Sequence, residues 1–238
     1  MTLFSNFTPF AMKSIAARAR PVSAKAFFCF ISGLVLASGC SVIDKPMRAS
    51  LYDFGPGIPA AAVASPAAAP LAPLAPLAIA DVTTAGGALD SQGVLYRLAY
   101  TDIQQLRPYA QARWTMPPAQ LVRQRLREKL GERRVVFNAR EGVALNRGQN
   151  PDLRMLRLEL EEFSHLFTAP NESVGLVRLH ATLVQLTPAG ERLVGQRELV
   201  VRRPAATPDA PGGVRALTAA TDAAIDEIDA WLRQLPAP

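Results

Sequence analysis

Side chains suited to covalent or acid–base chemistry are scarce in this chain: it has two cysteines and two histidines. Cys40 is the one whose surroundings point to a reaction. It follows Leu36-Ala37-Ser38-Gly39, and small residues before a thiol let a processing enzyme bind the backbone closely while the sulfur acts as nucleophile. The histidines offer less. His165 and His180 are fifteen residues apart with no Asp, Glu or Cys cluster at ligand spacing, a poor basis for a metal site. His180 is expected mid-strand, opposite in face to Leu179, and His165 just past a strand end. Glu159, Glu161 and Glu162 resemble an acid–base set, but strand alternation divides them between faces, and solvated charge explains them. There is no Gly-x-Ser-x-Gly elbow and no Gly-rich loop followed by Lys-Ser/Thr to cradle a phosphate. No catalytic residue, metal or cofactor is expected, and the chain reads as a non-enzymatic interaction protein.

The segment before Cys40 explains its chemistry. Lys13, Arg18, Arg20 and Lys25 precede an apolar run, Ala26 to Val35, with no acidic residue among them. A positive region, a short apolar core and a small-residue cleavage point make a secretory signal peptide. The apolar core falls well short of the roughly 20 residues a membrane-spanning helix needs. Leu-Ala-Ser-Gly-Cys resembles the lipobox of bacterial lipoproteins, in which the cysteine is diacylated and becomes the first mature residue. Two or three acyl chains hold a protein on a membrane where one is marginal. Ser41, in place of an aspartate, favours export to the outer membrane by the same resemblance. Met12 is an alternative start, because the residues before it add no charge.

Removing residues 1–39 changes the charge. The precursor has 26 basic and 20 acidic residues; the first 39 hold four basic and no acidic ones, which leaves 22 against 20. That balance shows no concentrated basic face for nucleic acid. Cys29 leaves with the signal and Cys40 takes lipid, so no disulfide forms within the mature chain and the fold must stand on its core. Residues 40–76 are expected as a lipidated tether: an edge strand at Leu51 to Phe54, stopped by Gly55-Pro56-Gly57, then an Ala/Pro-rich linker over 58–76 that leans to extended polyproline II.

Residues 77–238 are expected to form one domain. Leu77 to Val82 and Val94 to Tyr100 read as strands, the second with Tyr96, Leu98 and Tyr100 on one face. Trp114-Thr115-Met116-Pro117-Pro118 opens a helix with Val122, Leu126 and Leu130 at i, i+4, i+8 and Gly131 as its stop. Its basic residues, Arg123, Arg125, Arg127 and Lys129, are read as a solvated face, with contact to anionic lipid as the alternative. Arg134 to Phe137 is a short strand. Arg154 to Glu161 alternates, with Leu156, Leu158 and Leu160 inward. Val174 to Leu186 and Glu191 to Arg202 form a hairpin across Thr187-Pro188-Ala189-Gly190, and Pro204 to Gly213 is a loop. The final helix carries Val214, Leu217, Thr221, Ala224, Ile225, Ile228, Trp231, Leu232 and Leu235 as an apolar stripe, with Asp222, Asp226, Glu227 and Asp229 outside it. A largely antiparallel or mixed sheet packed by two amphipathic helices, without regular βαβ alternation, is an α+β fold.

Several segments in this order resemble the ABC-type transport auxiliary lipoproteins, the PqiC-like family. They are the lipobox, Leu51-Tyr52-Asp53-Phe54-Gly55-Pro56, Tyr96-Arg97, Tyr109 with Trp114 and Pro117, Leu158 to Phe163, and a closing helix ending in Trp231-Leu232. The resemblance implies a component of an envelope lipid-transport system, together with an ABC permease and ATPase and an MCE-domain protein as periplasmic conduit. It implies a site on the periplasmic face of the outer membrane, where the lipoprotein docks the conduit. Members can assemble as rings, so a homo-oligomer is a further expectation. Tyr109, flanked by Arg107 and Arg113, is the leading interface candidate, with Tyr96 and Trp114 beside it, since Tyr and Trp are enriched in binding hot spots. All three also have a reading as core aromatics that close the helix on the sheet, and that reading is favoured for Trp114. The alternative role is an outer-membrane biogenesis lipoprotein that chaperones or plugs a β-barrel.

Overall fold

The computed structural model describes residues 48–57, 73–148 and 153–236. The signal peptide, Cys40 and nearly all of the Ala/Pro linker lie outside them. In chain order the elements are β1 (Ser50–Tyr52), β2 (Leu77–Ile79), β3 (Thr83–Thr84), a 3-10 turn (Gly87–Asp90), β4 (Gly93–Leu98), β5 (Asp102–Trp114), α1 (Pro118–Gly131), β6 (Val136–Asn138), α2 (Ala139–Gly148), β7 (Arg154–Ala169), β8 (Glu172–Thr187), β9 (Gly190–Pro204) and α3 (Ala210–Gln234). The fold is α+β, with a third helix beyond the two expected.

The sheet is built on β7. One edge pairs antiparallel with β8 from Arg154↔Gln185 to Ala169↔Glu172, and β8 pairs in turn with β9. The other edge is shared by three short strands, all parallel to it: β2 at Arg154 to Leu156, β3 at Glu159 to Leu160, and β4 at His165 to Phe167. The strand expected from Leu77 to Val82 ends at Ile79, and the next piece on the same edge, β3, starts only at Thr83. Beyond them, β6 pairs with β2, β5 with β4, and β1 with β5.

Two stretches escaped the sequence pattern. β5 contains Pro108, which reads as a strand breaker, and it pairs with β4 through two three-residue register shifts on either side of Leu95–Tyr96. Such irregularity at the sheet margin is where a strand tolerates proline. α2 begins with a reciprocal capping box: Glu141 N–H donates to Asn138 Oδ1 (2.9 Å), and Asn138 N–H donates to Glu141 Oε2 (2.8 Å).

The main core lies between one face of β7–β8–β9 and the helices α1 and α3. Val177, Leu179, Ala181 and Leu183 are fully buried there under α3, together with Leu217, Ala224, Ile225 and Ile228. The helix backbone approaches the sheet closely at Gly175, where a Cβ would stand 2.4 Å from the Ala216 carbonyl carbon. A smaller cluster, Ala78, Leu153, Met155, Val184 and Leu186, with Ala139 of α2 packed against it, occupies the opposite face.

The charged faces of the two long helices meet each other. Arg125 forms a bidentate pair with Asp222 (2.6 and 3.0 Å), Lys129 approaches Asp226 (3.7 Å), and Arg134, just after α1, holds Asp229 (2.5 Å). Arg123 pairs with Asp81 (2.9 Å). Of the run read as a solvated face, Arg125 and Lys129 thus meet α3, which in turn has Asp222, Asp226 and Asp229 of its acidic side paired.

Residues placed in the tether by sequence also belong to the fold. Ser50 to Tyr52 pairs parallel with Ala112 to Trp114. Gly55, in the left-handed region at φ +71°, donates its N–H to Asp53 Oδ1 (2.8 Å), and this Asx-type turn sends Phe54 inward. Phe54 is buried edge-on to Trp114 (5.7 Å between ring centroids) and beside Phe163 (6.1 Å). Phe54→Ala should cost about 3 kcal/mol in urea unfolding of the mature chain. Leu51→Ala, at a side chain 68% exposed, should change stability by no more than about 0.5 kcal/mol. Equal effects would show that the segment unfolds separately from the domain.

Candidate functional site

The residues singled out by sequence gather at the β1–β5–β4 end of the sheet. Trp114 is fully buried, with Phe54 and Phe163 (5.6 Å) against its ring. Tyr96 is half-buried and packs on Tyr109 (4.7 Å) and edge-on to Phe167 (6.2 Å). Tyr109 is half-buried too, and its hydroxyl lies 2.8 Å from His165 Nδ1. Arg113 donates to the Tyr109 carbonyl (2.6 Å) and the Ala112 carbonyl (3.0 Å), holding the irregular stretch of β5 together. Arg107 bonds the side chain of Gln105 on the surface. Sequence proximity in β5 thus separates into a buried aromatic layer and an outer pair of arginines.

His165 does not follow a strand end; it sits within β7, fully buried. A bulge is responsible. The register shifts between Leu160↔Leu179 and Glu162↔Arg178, so one extra residue sits in β7 and the inward set changes from even to odd positions. Phe163, His165 and Phe167 thereby turn toward the core. The doublet Glu161-Glu162 is the legible trace, because two consecutive charges cannot both fit strict alternation.

The first turn of α3 lies directly on this histidine. A Cβ on Gly213 would stand 2.4 Å from His165 Nδ1, so the position requires glycine. Asp209 caps the helix by accepting from Gly212 N–H (2.8 Å) and from the Thr207 hydroxyl (2.6 Å), bonds that hold its carboxyl below the usual range. The helix begins at Ala210, within the stretch expected as loop. Desolvation pushes His165 down to about 4, opposed weakly by Asp209, and pushes the Tyr109 hydroxyl up. The ring is neutral at pH 7, the hydroxyl keeps its proton, and the two groups share one hydrogen bond at Nδ1. Nε2 has no partner.

This arrangement is a packed polar pair in an aromatic layer. A nucleophile–base pair would need an open reacting position beside it, and Tyr96, Phe167 and the first turn of α3 pack against this one. Among the described residues, no three His, Cys, Asp or Glu side chains come together to hold a metal ion, and no helix is long and apolar enough to cross a membrane. The groups that do face solvent are at the β4–β5 turn: Tyr100 is 48% and Ile103 56% exposed. Among the described residues, no strand neighbours the outer edge of β5 from Asp102 to Gln111, and β1 covers it only from Ala112. Sequence reading overlooked Ile103, because Pro108 hid the strand.

The profile of a family described as ABC-type transport auxiliary lipoprotein component matches residues 57–229. The chain belongs to this family. No curated protein matches the sequence of this auxiliary lipoprotein. Among solved structures it is similar to the protein XCC0632 of Xanthomonas campestris, with 18% identity, a TM-score of 0.54, and 69% of this chain and 88% of that chain covered. It is also similar to an uncharacterised protein, at 14% identity and a TM-score of 0.53, covering 78% of this chain and 99% of that chain. At these identities the likeness shows a common fold for the auxiliary lipoprotein and its relatives.

The buried histidine makes a testable link between pH and stability. Its folded value near 4 lies below the ordinary 6.5, so the unfolded chain binds a proton over a range where the folded chain does not. Stability is fully present above pH 6.5, falls as pH drops to about 4 by on the order of 3 kcal/mol, and levels below that. In His165→Gln, urea unfolding measured from pH 7.5 to 4 should lose this part of the slope. An unchanged slope would place the titrating group elsewhere.

Proposed function

We propose that this auxiliary lipoprotein is a non-enzymatic, lipid-anchored periplasmic subunit of an ABC/MCE-type envelope lipid-transport system. Cys40 carries the acyl chains at the outer membrane, and the domain docks the periplasmic conduit. The observation that carries the docking role is the uncovered edge of β5 beside exposed Tyr100 and Ile103. Free strand edges accept a partner segment by backbone pairing, and exposed aromatic and aliphatic side chains give it specificity. Tyr109, Tyr96 and Trp114 back this edge from inside, while Arg107 and Arg113 frame it. In this reading the interface candidates are mostly supports of the docking strand, and its contacts are made by residues nearer the turn.

The docked N-terminal segment supports a second element of the proposal. Nine residues, 41–49, separate Cys40 from β1, which at full extension is about 35 Å. The domain then stays near the membrane, and the conduit must come to it. The Ala/Pro stretch adds nothing to this reach, because Phe54 before it and Leu77 after it are both in the core.

The test is a photocrosslinking amino acid at Ile103 in cells, with Val143 on α2 as the control position. The expected adduct from position 103 is an MCE-domain protein, with none from 143, and it should be lost in Cys40→Ser along with palmitate incorporation. An adduct with an outer-membrane β-barrel would assign the chain to biogenesis. No adduct at 103 would remove the β5 edge as the docking site.

A further inference from the structure

At the end of the sheet away from the aromatic layer lies a cavity of about 490 Å³. Its apolar wall is formed by Leu77 and Leu183 from the sheet, Leu232 and Leu235 from the end of α3, and Leu74 with Pro76 from the approach to β2. The remaining charged residues of the lining are Arg134, Arg154 and Arg233, with no acidic residue among them. An apolar cavity of this size falls in the range of small-molecule sites, which combine hydrophobic walls with a few convergent polar groups.

Two of these three guanidinium groups, Arg134 and Arg233, share a single carboxylate. Asp229 is the carboxylate that meets both Arg134 (2.5 Å) and Arg233 (3.4 Å), one anion between two guanidinium groups. The Arg134 side chain is only 7% exposed, and its Nε has no acceptor. Burial lowers its pKa against the opposing pull of Asp229. A guanidinium has five N–H donors in a planar fork suited to a carboxylate or phosphate, and a desolvated cation with incomplete pairing is destabilising until an anion completes it.

We infer that this cavity binds a single-chain anionic amphiphile, its acyl chain among Leu77, Leu183, Leu232 and Leu235 and its head group on Arg134, Arg154 and Arg233. A neutral chain would leave the guanidinium groups as they are, and a small anion would leave the apolar wall exposed. The inference concerns the domain alone and does not depend on the docking partner proposed above. It gives the domain a direct contact with a lipid-like molecule, at a place distinct from the β5 edge.

The experiment uses the mature chain with Cys40→Ser, which keeps both apolar clusters of the described residues. The probe is cis-parinaric acid, a fluorescent 18-carbon carboxylate, titrated at pH 7.5 alongside its methyl ester. Saturable one-to-one binding of the acid, at least tenfold tighter than that of the ester, is expected. Arg154→Gln/Arg233→Gln should reduce acid affinity tenfold or more and leave ester binding unchanged, with the thermal unfolding midpoint monitored as a folding control. Leu235→Trp, which fills the cavity from its rim, should weaken acid and ester alike and serves if the arginine variant is unstable. The inference is overturned by absence of saturable binding, by equal affinity for acid and ester, or by unchanged acid affinity in the folded variants. Complete displacement of the probe by millimolar inorganic phosphate would also overturn it, because the site would then recognise an anion without a chain.

Discussion

A sixteen-residue strand buried along most of its length must find hydrogen-bond partners on both edges, since an unmatched buried backbone group costs about 1–3 kcal/mol. β7 meets this demand in two ways. One edge is filled by β8 in a single long hairpin, and the other by three short parallel strands that the chain lays down in passing from Leu77 to Leu98. The irregular look of the N-terminal half follows from this. Its strands are short because each covers a few positions of β7, and the loops between them carry the chain forward along that edge. Both long helices then seal the face this sheet presents.

The same strand divides the molecule chemically. On one side of the bulge at Glu161-Glu162, alternation puts leucines inward and the core is aliphatic. Beyond it, Phe163, His165 and Phe167 point inward, and the core becomes aromatic with one buried polar pair. Gly213 lets α3 rest on that pair, as Gly175 lets it rest on β8. Across the helices, the Arg125–Asp222 and Lys129–Asp226 pairs keep the register of α1 against α3. Partly exposed pairs of this kind add little stability; their contribution is to disfavour misaligned packing, where like charges would meet.

Much of this was legible in the sequence, for particular reasons. The period of α3 is uninterrupted and that of the β8–β9 hairpin is broken only by one register shift after Leu183↔Gly195, so both were readable with nearly their observed limits. β5 was hidden by Pro108 and by two register shifts, which remove the alternation that reveals a strand. α2 was hidden by its shortness, although Asn138-Ala139-Arg140-Glu141 is a readable capping box. His165 was misplaced because one inserted residue reverses every side chain after it. The two helical charge patterns were each read as facing water, which is the ordinary meaning of charge on a helix seen alone. Their complementarity is visible only when both helices are considered as neighbours. The arginine-lined cavity had no sequence signal at all, since its walls come from five separated segments.

The short N-terminal strand also has a mechanical meaning. Any tension between residue 49 and the domain passes first through the hydrogen bonds of Ser50 to Tyr52 with β5, and then through Phe54 seated against Trp114 and Phe163. Because β1 runs alongside β5, a pull along its axis loads those bonds together in shear, instead of one after another. The aromatic plug behind them adds a second point of resistance. If Cys40 carries acyl chains as proposed, a tug from a bound partner would therefore be borne by β1 and the buried Phe54, and residues after Phe54 would stay off the load path.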